Sequence, residues 1–191
     1  MYLSESMKSL GLIICMCFLF ACSKTEVKPP VQLFTNTNVD AGTNTPTGWW
    51  LNGNGTTAVF IWSNQVAFSG THALEIACAS AITAPAYWGQ SVTQNIPFGR
   101  NLTLTVRVKG NLSGDGAAVA IACLNATSTT QAQQFSTSQG SSSMSGNFDW
   151  TSYTAKLAGV HNDISEIRVY LMMLPGGSGQ VYFDDISLTA N

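Results

Sequence analysis

Val181-Tyr182-Phe183-Asp184-Asp185-Ile186-Ser187-Leu188-Thr189 reads as a β-strand that carries two adjacent carboxylates. Strict alternation sends Tyr182, Asp184, Ile186 and Leu188 to one face, which aims Asp184 at apolar neighbours. A charged, unpaired carboxylate there is costly, so a cation, an Arg or a set of backbone N–H groups has to meet it. With 8 Lys+Arg against 10 Asp+Glu, a structural hard cation such as calcium is a candidate beside the protein's own donors.

Working outward, strand-like runs recur at Thr56 to Trp62, Thr71 to Ala79, Tyr87 to Ile96, Leu102 to Lys109, Ala117 to Leu124, Trp150 to Leu157, Ile164 to Met173 and Gln180 to Thr189. Segments such as Asn52-Gly53-Asn54-Gly55, Ser113-Gly114-Asp115-Gly116 and Pro175-Gly176-Gly177 punctuate them, and no amphipathic helix stands out. Short strands separated by such turn chemistry predict an all-β antiparallel sandwich. Leu102, Leu104, Val106 and Val108 alternate with polar residues and should face inward. Ser136 to Asn147, rich in Ser and Gly with Met144 as its large apolar residue, reads as a mobile loop.

The amino-terminal segment has a different character. Lys8 precedes the apolar run Leu10 to Phe20, and Leu19-Phe20-Ala21-Cys22 looks like a bacterial lipoprotein cleavage box. The expectation is a signal over residues 1–21, a polar tether over 22–30 ending in Pro29-Pro30, and one domain over 31–191. Lipid on Cys22 would then hold the protein at a membrane without a spanning helix, placing it in a bacterial cell envelope, at the outer membrane or cell surface. The alternative is an ordinary secretory signal with an incidental Cys.

Charged residues are only 9% of the chain and the net charge is -2, so nucleic acid is not the expected partner; an uncharged polar surface suits a neutral ligand. Cys78 and Cys123 each share parity with apolar neighbours, and export permits either a bridge or two buried thiols.

Four patterns in order resemble the galactose-binding-like jelly roll of carbohydrate-binding modules, families four, nine and twenty-two above all. They are Asn36-Thr37-Asn38-Val39-Asp40 with Pro46-Thr47-Gly48-Trp49; Ser69-Gly70-Thr71-His72-Ala73-Leu74-Glu75-Ile76; Trp150-Thr151-Ser152-Tyr153; and the closing strand with Asp184-Asp185. Val39 stands where that family usually has Phe. The resemblance implies a structural calcium tying three segments together, held by Asp40, by backbone oxygens over Ser69 to His72, and by Asp184 or Asp185. It also implies core positions for Trp49 and Trp150.

A sugar ring needs an aromatic platform for its C–H face and amide or carboxylate groups for its hydroxyl rim. Trp50, Trp62, Tyr87 and Trp88 are candidate platforms, although Trp62 shares parity with Phe60 and reads as core, and Trp50 and Trp88 could equally be core. Alternation groups Trp88, Gln90 and Gln94 on one face, and relatives carry ligand contacts near this strand, so Trp50, Tyr87, Trp88, Gln90 and Gln94 form the expected carbohydrate site. The small apolar run Ala117 to Leu124 argues for a shallow groove. Glu75 and Glu166 alternate outward as solvated acids. No pair of convergent carboxylates, nucleophile signature or zinc spacing marks an enzyme. The expectation is therefore a monomeric, lipid-anchored, non-catalytic module for neutral glycan. A structural or adhesion lipoprotein is the alternative, and a divergent polysaccharide-acting enzyme is a third reading.

Overall fold

Alternating apolar residues and tight turns give, among the described residues, ten strands in chain order: β1 (Val31–Gln32), β2 (Trp50–Asn52), β3 (Val59–Ser63), β4 (Ala73–Cys78), β5 (Ala86–Val92), β6 (Leu102–Asn125), β7 (Gln134–Thr137), β8 (Met144–Leu157), β9 (Ile164–Met173) and β10 (Ser178–Ala190). The structure is a computed structural model that describes residues 29–128, 130–140 and 144–191, and among them no helix forms. The signal segment, Cys22 and the tether up to residue 28 lie outside the described residues.

All pairings are antiparallel. One layer runs β3-β4-β10-β6-β8 and the other β2-β5-β9-β6-β7, so the long β6 belongs to both. Its first half pairs β10 and β8 through Leu102 to Leu112, and its second half pairs β9 and β7 from Ala117 onward. The sequence reading separates these halves by a turn at Ser113-Gly114-Asp115-Gly116, whereas the structure keeps them in one strand that bends from layer to layer. Gly114 and Gly116 adopt φ of 68° and 70°, and a Cβ on either would come 2.1 Å from a carbonyl oxygen, of Gly176 and Met144 respectively. The bend thus requires glycine at both positions.

Leu102, Leu104, Val106 and Val108 face the core as expected, joined by Val119, Ile121, Cys123, Ile167, Val169, Leu171 and Phe183. The span read as a loop is partly ordered sheet: Gln134–Thr137 is β7, and Met144 is buried at the head of β8. Its polar residues suit an edge strand, which solvates one side of the ladder. Cys78 and Cys123 are free and buried, and burial pushes the Cys123 thiol up to about 11.

The closing strand departs from simple alternation. Register shifts between Asp184 and Ser187, where Asp185 takes φ 45°, and this bulge exchanges the faces. Val181 and Phe183 point into the core before it, and Ile186, Leu188 and Ala190 after it. Asp184 therefore shares a face with Tyr182 rather than with Ile186 and Leu188.

Candidate functional site

The three segments implicated in a metal site do converge, and backbone N–H groups and a hydroxyl from one of them donate to the carboxylates of the other two. Asp184, fully buried, accepts the N–H groups of Phe68 at 2.7 Å and Ser69 at 2.9 Å on Oδ2, and that of Asp185 at 2.6 Å on Oδ1. Burial pushes its carboxyl up while these three donors pull the other way. The Ser69 hydroxyl donates to Asp185 Oδ1 at 2.6 Å. Asp40 Oδ1 accepts the N–H groups of Thr71 at 2.8 Å and His72 at 2.9 Å, and Oδ2 accepts Asn38 Nδ2 at 2.8 Å. Burial alone would raise Asp40, yet the Thr71 and His72 donors hold it below the usual carboxylate range.

Calcium is held by oxygen lone pairs, and here backbone N–H groups from Phe68 to His72 occupy part of the carboxylate capacity of Asp40 and Asp184. Among the described residues no three His, Cys, Asp or Glu side chains gather in a metal-binding group. Asp40, Ser69, His72, Asp184 and Asp185 are joined in this arrangement by a clasp of side-chain-to-backbone and side-chain bonds. The His72 ring instead stacks on Trp62 at 4.1 Å, and Trp62 Nε1 donates to the Val39 carbonyl at 2.7 Å.

The expected carbohydrate strand is split in three. Trp88 is 3% exposed, packs edge-on against Phe60 at 5.5 Å and donates Nε1 to the Glu75 carbonyl at 3.1 Å, so it is core and offers no face to a ligand. Gln90 follows the same parity, is buried, and donates to the Thr35 carbonyl at 3.4 Å. With Gln94 it lines a polar cleft of about 420 Å³ together with Leu33, Thr35, Gly48 and Ser91. Parity therefore separates Trp88 and Gln90 from Tyr87, which points outward.

The outward face carries an aromatic cluster. Register sets Trp50 opposite Gly89, Gly89 opposite Tyr170, and Tyr170 opposite Ala120. The indole of Trp50 lies on Gly89, where a Cβ would come 2.5 Å from two carbons of its six-membered ring. Tyr87 and Tyr170 meet it edge-on at 5.8 and 6.0 Å, and contact each other at 5.0 Å. Ala118, Ala120 and Ala122 form a one-methyl-high floor between β9 and β7, where Phe135 stands opposite Ala122. All three aromatic residues of the cluster are half-buried.

Polar groups border the cluster. Asn52 Nδ2 donates to the Tyr87 hydroxyl at 3.0 Å. Arg168 donates to Glu166 from Nε and from a terminal guanidinium nitrogen, both at 2.7 Å. Tyr170 and Ser91 lie close enough to this ion pair to act on its electrostatics. Arg168 holds the Glu166 carboxyl below its ordinary range. Glu166 is thus ion-paired rather than freely solvated, and Glu75 is buried and accepts from Gln180. Sequence reasoning missed Tyr170 and Arg168, whose only signal was outward parity on a strand read correctly. Trp150, expected in the core, is half-buried outside it against Phe68 at 5.7 Å; Trp49 is core as expected.

No family model and no curated protein match this sequence. Solved structures do match. The CBM22-1 xylan-binding domain from Paenibacillus barcinonensis Xyn10C superposes with a TM-score of 0.55 at 14% identity, over 80% of this chain and 90% of that one. The fold is the carbohydrate-binding-module jelly roll. An arabinose-bound α-L-arabinofuranosidase matches at 0.60 and 13% identity over 83% of this chain, and the enzymatically active domain of a bacteriophage CBA120 tailspike at 0.56 and 12% over 84%. The chain spans only 26% and 21% of those two. At such identities the likeness is one of fold.

Proposed function

We propose that this protein binds neutral carbohydrate without transforming it, on the face built by Trp50, Tyr87 and Tyr170. The observation that carries the reading is the Trp50 indole, seated on Gly89 and steadied edge-on by two tyrosines. A ring fixed before ligand arrives loses little freedom on binding, and its outer face suits the C–H face of a sugar. Asn52, Ser91 and the Arg168–Glu166 pair supply donors and acceptors for the hydroxyl rim. The xylan-binding domain with the same fold supports this reading, although a jelly roll can serve other roles. The tie between Glu166 and Arg168 gives the face no free pair of carboxyls for glycoside hydrolysis.

Affinity electrophoresis through gels containing β-glucan or xylan should retard the protein, and Trp50→Ala should abolish the retardation. A parent that migrates unretarded through every glycan gel would sink the proposal. In that event the second reading, a protein-contact role, gains from Val59, Ile61 and Phe68, which stand 56%, 41% and 42% exposed on the outside of the other layer. We further propose that the module acts as a monomer tethered to a bacterial envelope membrane by lipid on Cys22. Cys22→Ser should release it from the membrane fraction, and persistence there would overturn the anchor.

A further inference from the structure

Beside the platform lies a pocket of about 170 Å³ lined by Pro85, Tyr87, Phe135, Tyr170 and Met172. Ligand pockets for whole small molecules run from about 300 Å³ upward, so this one suits a substituent rather than a ring. Apart from the two phenols its lining offers no side-chain hydrogen-bonding group. A sugar hydroxyl placed there would lose water and gain little in return. The Tyr87 oxygen is already an acceptor, receiving Asn52 Nδ2 at 3.0 Å, and the Tyr170 phenol stands beside it with ring centroids 5.0 Å apart. The Tyr87 O–H proton is then left to donate at the pocket's edge, and the Tyr170 phenol lines the same pocket. A carbon-lined pocket with O–H donors beside it complements a methyl joined to a carbonyl.

Resting on the carbohydrate reading above, we infer that the preferred ligand is an acetylated glycan, its acetyl methyl seated among Phe135, Met172 and Pro85 and its carbonyl accepting from Tyr87 or Tyr170. Burying one methyl corresponds to roughly fourfold in affinity, the equivalent of about 0.8 kcal/mol. The test is titration calorimetry of the protein with acetylated xylan, with the same xylan deacetylated by mild alkali, and with an N-acetylated oligosaccharide such as chitohexaose, which separates ester from amide sources. Acetylated ligand of either kind should bind at least about fourfold more tightly than the deacetylated xylan. Phe135→Ala, at a residue 58% exposed and therefore safe for folding, should bring the affinities together. Equal binding of acetylated and deacetylated xylan, with no gain from the N-acetyl ligand, would overturn the inference and leave the carbohydrate reading standing. Failure to bind any glycan would overturn both.

Discussion

Asp184 and Trp50 both press a side chain against backbone, one inside the clasp and one on the platform. Asp184 is wholly buried and receives three backbone N–H groups, from Phe68, Ser69 and Asp185. Trp50 rests on Gly89 but stays half-buried, and the hydroxyl of its neighbour Tyr87 accepts from Asn52. The clasp consumes its bonding capacity to join three distant segments, which is what a fold-holding element must do. The platform keeps apolar surface and O–H donors unused, which is what recognition needs. Neither residue type alone tells the two apart; the remaining capacity does.

The largest effects should come from residues on the internal side of this contrast. Trp88→Ala removes a core indole and should cost about 3–5 kcal/mol, while Trp50→Ala on the neighbouring strand should cost nearer 1 kcal/mol yet weaken glycan binding more than about tenfold. Urea melts and affinity gels on both variants separate fold from function; equal destabilisation by the two would erase the distinction. Asp184→Ala leaves three N–H groups without their acceptor and should cost about 3 kcal/mol or more. Asp184→Asn should fall between parent and alanine, since one amide oxygen can still accept from Phe68 and Ser69 while its NH₂ then opposes the Asp185 N–H.

Smaller changes sharpen the contrast. Gly89→Ala should lift the Trp50 ring, costing about 1–3 kcal/mol and lowering glycan affinity roughly tenfold, because a methyl at Cβ occupies the indole's seat. Retained affinity would show that the indole does not carry binding. At the clasp, Asp40 has its folded pKa below the unfolded value near 3.8, held there against desolvation by Thr71 and His72. Its stabilising contribution is therefore complete above about pH 4 and fades as pH falls through the depressed value. Asp40→Asn should flatten that part of the acid-side slope in urea midpoints measured between pH 5 and 2.

Much of the fold was legible because alternation is local: β9 matches its expected span, and the Leu102 to Val108 face is the core face. The clasp was legible as a meeting place because its residues sit in short motifs. Its ligation was not, since whether Ser69 to His72 turn carbonyls or N–H groups toward an acid depends on the backbone path, and the Asp185 bulge is a tertiary feature. The platform was half legible. Trp50 and Tyr87 were named, but Trp88 and Gln90 were grouped with them although parity sends Tyr87 to the other face. Tyr170 enters only through the register of β5 against β9, which no local pattern carries.

The smallest expected effect is none, and it bears on the clasp alone. If the carboxylates of Asp40 and Asp184 are saturated by N–H donors, the melting midpoint should be the same in millimolar EDTA and in millimolar calcium. A cation that bound only the native state would stabilise it by mass action, and the midpoint would climb with calcium concentration. Such a cation would compete for the carboxylates with the N–H bonds of Phe68 and Ser69 to Asp184 and of Thr71 and His72 to Asp40. A calcium-dependent midpoint would therefore reassign the clasp from a self-satisfied hydrogen-bond lock to a metal-ordered one. It would leave the platform, on the other layer, with the same geometry and the same expected ligand.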